Sequence, residues 1–255
     1  MPPLWEQILG QAMPIGLRVA GVMSFAPFLG SLSVPARIKA ALTLALTALL
    51  FSVVPAPHAA LEPLAWTRFV LSEAVLGLML GLCLLFVFEA AQLAGQIAGF
   101  QIGFSLVNII DPQTQVDTPV LSIFHQLVAL LLFLGLNVHH WILRGLVNSF
   151  TLVPVGSVRF SPGAAGVLLH AAGSMWMVGV QIAAPILLVT LLMDVTVGFL
   201  SKASPQLPAL FFSIPLKNST GILVLSVAVG MWPGLFEKQF ARALELSERL
   251  LHLAR

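Results

Sequence analysis

Tyrosine is absent from the 255 residues, and cysteine occurs once. A single thiol, Cys83, forms no disulfide within the chain, and its place in an apolar run makes it a small buried hydrophobe. Charge is scarce: Asp, Glu, Lys and Arg make up 9% of the chain, where a soluble domain carries about 25%. With 58% hydrophobic residues and a mean hydropathy of +1.00, the chain cannot cover a water-facing surface. The net charge of +2 is small and its basic residues are scattered, which excludes nucleic acid as a partner. Catalytic signatures are missing too. There is no H-E-x-x-H, no Walker loop, no G-x-S-x-G elbow and no G-x-G-x-x-G. His125, His139 and His140 have no carboxylate or cysteine at ligand spacing on the same helix, so they do not form a metal set. No enzyme, cofactor or metal is expected.

What the chain has in abundance is uncharged length. Lys39 to Glu62 encloses 22 residues without a charge, Glu89 to Asp111 encloses 21, and Asp117 to Arg144 encloses 26. Arg159 to Asp194 encloses 34, and Lys217 to Glu237 encloses 19. A bilayer-crossing helix needs about 20 mainly apolar residues. The fold class is therefore all-α, a polytopic membrane protein. A β-barrel is excluded by the lack of strict alternation over ten-residue segments. With tyrosine gone, Trp5, Trp66, Trp141, Trp176 and Trp232 are the interface anchors. Met1 to Gln11 has no basic region before the first apolar run, so that run is expected to stay and act as its own insertion signal.

Apolar periodicity predicts helices over 10–30, 38–55, 66–88, 90–108, 119–150, 164–200 and 218–233. Pro205, Pro208 and Pro215 argue against a continuous helix over 201–217. From Leu235 the chain is amphipathic, with Phe236, Phe240, Leu244 and Leu251 opposite Lys238, Arg242, Glu245 and Arg249. One membrane domain over 1–235 and an amphipathic helix over 236–255, interfacial or partner-contacting, are expected. The positive-inside rule does not close on this set of spans. Arg37, Lys39 and the basic tail ask for one side, while Lys202 and Lys217 fall on the other. Segments buried as hairpins in protein rather than spanning lipid would account for the conflict.

Chemical information concentrates between Gly95 and Ser122. Gly95, Gly99 and Gly103 share one helical face, and Gly77 and Gly81 form a similar pair. Phe100 and Phe104 stand beside the ladder at the same spacing, and a polar turn with Asn108, Asp111, Pro112 and Asp117 follows. Two readings stand. Small residues let helix backbones approach closely; alternatively, the segment is a loosened stretch lining a pore, with the phenylalanines as its stopper. Arg18, Glu73, Glu89, Arg144 and Asp194 lie within or beside apolar runs, where charges pair across helices or subunits or snorkel to an interface.

The blocks G-F-Q-I-G-F-S-L-V-N-I-I-D-P-Q-T, D-T-P-V-L-S and L-L-F-L-G-L-N-V-H-H-W resemble the FliR family of flagellar export proteins. So do S-V-P-A-R-I-K near residue 35 and L-L-M-D-V-T-V-G-F-L-S-K-A-S-P-Q-L-P, and together they cover about residues 10–235 in order. The resemblance implies a subunit of the type III secretion export gate at the bacterial inner membrane, in the flagellar basal body. It implies assembly of bent helical hairpins with FliP-like and FliQ-like subunits around a protein-conducting pore. Further partners would be FlhB-like and FlhA-like components and the exported flagellar proteins. It also implies a plug that maps onto about Phe100 to Thr118. Three alternatives remain at this level: an injectisome counterpart, a scaffold subunit with no pore role, and a small-solute transporter with a broken helix at 99–118.

Overall fold

The computed structural model describes residues 4–26, 34–55, 63–104, 120–204, 206 and 209–255. Eight helices are assigned among them. In chain order they are α1 (Leu4–Phe25), α2 (Ala36–Phe51), α3 (Pro63–Ile102), α4 (Val120–Gly135), α5 (Val138–Leu152), α6 (Pro162–Ala203), α7 (Ala209–Val229) and α8 (Trp232–Leu253). The protein is an all-α polytopic membrane protein. Three stretches are long and apolar enough to cross a bilayer: Trp66–Ile102, Pro162–Ala203 and Phe212–Val229. The α4–α5 pair adds a fourth if counted as one broken span.

Several helix ends follow from local chemistry. Proline opens α3 and α6, where its missing N–H has no intrahelical partner to lose. Ser161 caps α6, its Oγ accepting from the Gly163 N–H at 3.3 Å. Between α4 and α5 the axis turns by 67°. Asn137 sits at that turn with φ 57°, a left-handed conformation that asparagine tolerates better than most residues.

Three sequence expectations change. The two helices expected over 66–88 and 90–108 are one helix, because Glu89 is accommodated half-buried without a break. The helix expected over 119–150 is two, bent at Asn137. Pro215, expected in a non-helical segment, lies inside α7; proline is tolerated in apolar helices when neighbouring groups satisfy the freed backbone.

The chain forms two compact units. The first comprises Met1–Phe86, Leu134–Gly173 and Gln239–Arg255. Its α1 and α3 meet backbone to backbone: a Cβ on Gly21 would lie 2.6 Å from the Leu78 nitrogen, and one on Gly77 would collide with the Arg18 carbonyl oxygen. Met79, Cys83, Ala164 and Leu250 form one core cluster there. The end of α8 is tied in by two backbone bonds, Arg159 N–H to Ala254 O at 2.9 Å and Ser161 N–H to Leu253 O at 3.1 Å. Phe240, Leu250 and Leu251 are buried, so the apolar stripe of the tail is spent largely within the chain itself.

The second unit comprises Val87–Phe133 and Ser174–Lys238. Ala98, Ile102, Leu121 and Ile186 form its core cluster, with Val224 and Leu225 against it. Phe88 meets Phe133 edge-on at 5.7 Å between ring centres.

Candidate functional site

The glycine ladder ends α3 in the second unit. Gly95 faces α4 so closely that a Cβ would stand 2.5 Å from Ser122 Cα and 2.6 Å from the Leu121 carbonyl oxygen. Close helix packing is thus what Gly77 and Gly95 do in this chain. The helix terminates in a Schellman pattern. Gly103 takes φ 98°, its N–H reaches the Phe100 carbonyl at 3.2 Å, and the Phe104 N–H reaches the Gly99 carbonyl at 3.0 Å. A left-handed residue at this point favours glycine because any side chain there is strained. The motif turns the two phenylalanines to different fates. Phe104 packs against the Ala98–Ile102–Leu121–Ile186 cluster, whereas Phe100 is 73% exposed. Asn108, Asp111, Pro112 and Asp117 lie outside the described residues.

The candidate charges separate in the same way. Arg18 and Glu73, each a candidate for an inter-helix or inter-subunit pair, meet one another in the first unit with both side chains fully buried. Arg18 Nε donates to Glu73 Oε2 at 2.7 Å, and Nη2 lies 2.6 Å from the same oxygen. Nη1 donates to the carbonyls of Ser149 and Val153, each at 3.0 Å. The guanidinium carbon stands 4.3 Å from the centre of the Phe150 ring. Glu73 Oε1 accepts the Gly156 N–H at 2.9 Å. The last carbonyls of a helix have no partner within it, and a cation at that end is favoured by the helix dipole. Arg18 therefore caps the C-terminus of α5, and Glu73 neutralises it while holding the turn that follows. Gly156, at φ 88° and hard against the Phe69 ring, completes that turn.

Asp194 pairs with Lys217 of α7, on a surface where Asp194 keeps 43% of its side chain exposed. Glu89 is half-buried in α3 and makes no ion pair among the described residues. Arg144 is exposed on α5 and is likewise unpaired among them.

Several participants had no sequence signal. Ser149 and Val153 accept through main-chain carbonyls, Ser149 also through its Oγ at 3.3 Å, and Gly156 donates its N–H; none of the three stands out in the sequence. Lys217 carried one, as the lone cation opening the last uncharged run. His125 is another: buried in α4, its Nδ1 is 2.8 Å from the Leu121 carbonyl, and its ring lies 4.7 Å from that of Trp232.

A family model described as bacterial export proteins, family 1, matches residues 9–243. The chain belongs to that family. Proteins of similar sequence include the flagellar biosynthetic protein FliR of Escherichia coli K12, 29% identical over 230 residues that cover 90% of this chain and 88% of that protein. FliR of Bacillus subtilis 168 is 28% identical over 244 residues, 93% of each chain. FliR of Aquifex aeolicus is 27% identical over 219 residues, 83% of this chain and 82% of its own. The matched span contains both the buried Arg18–Glu73 network and the glycine ladder, and it bears out the resemblance read from the sequence blocks.

Proposed function

We propose that this chain is the FliR-type membrane subunit of a flagellar type III export gate at the bacterial inner membrane, in the basal body. It assembles with FliP-like and FliQ-like subunits around a protein-conducting pore and works with FlhB-like and FlhA-like components. The names borne by its relatives favour the flagellar reading over an injectisome or a solute transporter.

The observation that carries the proposal is unspent apolar surface. Helix α6 has 42 residues, about 63 Å at the usual rise, against about 30 Å of hydrocarbon in a bilayer. Only 22% of its most apolar stretch is buried within the chain, and only 11% for α7. Exposed apolar side chains run along α6 from Leu169 through Met177 and Leu188 to Leu200. A bilayer covers part of such a helix. The remainder needs other protein, because a large exposed apolar patch in water marks an association surface.

Within that assembly, Phe100 and the segment through Asp117 act as the plug. Support comes from the end of α3: Phe104 anchors the helix terminus while exposed Phe100 is available to a partner or a constriction. A hydrophobic constriction closes a pore by excluding water.

The test is affinity purification of the tagged chain from cells that also express the FliP-like and FliQ-like subunits. All three are expected in one stoichiometric particle. A chain that purifies alone and monodisperse from those cells would overturn the proposal.

A further inference from the structure

Within the first unit, α5 and α8 do not close on each other. Between them runs a groove of about 420 Å³, floored by Leu80 and Leu84 of α3 and Val22 of α1. Gly145 of α5 lies on its wall and leaves it open: a Cβ there would meet nothing within 4 Å. Leu244 and Leu251 of α8 make the opposite wall apolar. The lips carry charge. Arg144 and Asn148, one turn apart, line the α5 side, and Glu245 and Glu248, also one turn apart, line the α8 side. All four are exposed, and no ion pair joins the two lips among the described residues. Trp141 lines the groove one turn before Gly145 and one residue from the exposed His140, the amphipathic residue that settles at headgroup level in membrane proteins.

We propose that this groove binds one zwitterionic glycerophospholipid with a primary ammonium headgroup. The occupant must be apolar in its body, because the floor and walls are. It must carry both signs of charge at one end, because a guanidinium and two carboxylates face it without satisfying each other. A phosphate set against Arg144, with an ammonium set against Glu245 and Glu248, matches that pattern; an acyl chain of the same molecule fills the trough beside Gly145. An anionic lipid lacks the group that the two glutamates require. The site lies outside the pore segment and stands whether or not the plug assignment does.

The experiment uses the full chain, in complex with its membrane partners, extracted in mild non-ionic detergent. Native mass spectrometry and lipid extraction count the phospholipid retained per copy of the chain. The parent is expected to keep one phosphatidylethanolamine through detergent exchange. Gly145→Leu fills the trough from a position with free space, so the helices keep their places. Excluding only two methylenes weakens binding about tenfold, so retained lipid is expected to fall by at least about that factor. Glu245→Gln with Glu248→Gln, both on the exposed lip, is expected to abolish the preference for phosphatidylethanolamine over phosphatidylglycerol in a detergent titration with the two lipids, chains matched. A parent that retains no phospholipid overturns the proposal, as does unchanged retention in Gly145→Leu. A photo-crosslinker at position 145 that captures a partner polypeptide instead of lipid also overturns it, since the groove would then be a protein interface. Loss of lipid with unchanged headgroup preference in the glutamine pair overturns the headgroup assignment.

Discussion

Burial separates two ion pairs that residue type alone would rank together. Arg18–Glu73 has no exposed side-chain surface, whereas Asp194–Lys217 is partly open. Removing one partner of a buried pair leaves an uncompensated charge and costs about 3–5 kcal/mol. An exposed pair contributes about 0–1 kcal/mol. Glu73→Gln is therefore expected to destabilise the protein by several times more than Asp194→Asn. Thermal unfolding of the purified complex in one detergent measures both, and equal losses would mean that Asp194 is buried against a partner subunit. The expectation was half legible. Arg18 and Glu73 stood out because charge is expensive beside apolar runs, but nothing in a separation of 55 positions says that they meet. Their remaining ligands are two main-chain carbonyls, one main-chain N–H and the Ser149 hydroxyl, and the main-chain groups are ones almost any residue supplies. Asp194 drew attention for the length of the uncharged run before it; its partner Lys217 is on the next helix, and part of the Asp194 side chain stays exposed in the chain by itself.

At the scale of elements, glycines divide by what their missing side chains would meet. Gly77→Ala forces α3 away from the Arg18 backbone, and overpacking of this kind costs roughly 1–3 kcal/mol; it also disturbs the α5 cap through Arg18. Gly145→Ala meets open space and gains helix propensity, up to about 1 kcal/mol. Opposite shifts in melting temperature are expected from these two substitutions in the delipidated protein, and a loss in both would mean that the α5 groove is still occupied there. Sequence spacing identified the ladder; only the neighbouring backbones decide which rungs are contacts. The periodic pattern likewise found every apolar stretch, yet it joined α4 to α5 because a single left-handed Asn137 changes direction without interrupting hydrophobicity. It divided α3 at Glu89 for the converse reason, since one half-buried carboxylate interrupts the pattern without interrupting the helix.

The proposed plug belongs to the same scale. Because Phe104 is part of the second unit's core, a deletion that tests gating must begin after it. Removing residues 106–116 is expected to leave assembly intact and to let small molecules leak across the membrane of cells carrying the whole gate. A deletion complex that assembles and remains as tight as the parent would return the segment to a connecting role. Phe100→Ala is expected to leak less than the deletion, since it takes one apolar surface from the seal and leaves the rest.

The whole molecule relies on its last residues for closure. Phe240, Leu250 and Leu251 are buried in the first unit, and Leu253 and Ala254 accept its backbone bonds. The tail looked from its charge pattern like a surface helix offered to a partner, because amphipathicity shows that a stripe is covered without showing by what. Truncation after residue 239 is therefore expected to lower the amount of folded chain before export is affected. In-cell abundance measured beside motility checks this. Normal abundance with lost motility would move the tail to a partner's surface.

The reach of Arg18 bears on how the protein is made. Its carboxylate partner is synthesised 55 residues later, and the Val153 carbonyl 135 residues later. Throughout that interval Arg18 lacks the carboxylate and the carbonyl that hold it in the finished fold, and a cation beside apolar chain without such partners is costly. The nascent chain must wait for α3 and α5 before α1 can settle. A ribosome-bound intermediate halted between residues 80 and 140 should thus hold α1 beside the insertion machinery, protected by it rather than by lipid. Chains that include residue 160 should release it. Release of α1 before α5 has been made would show that the guanidinium does not set the order of assembly.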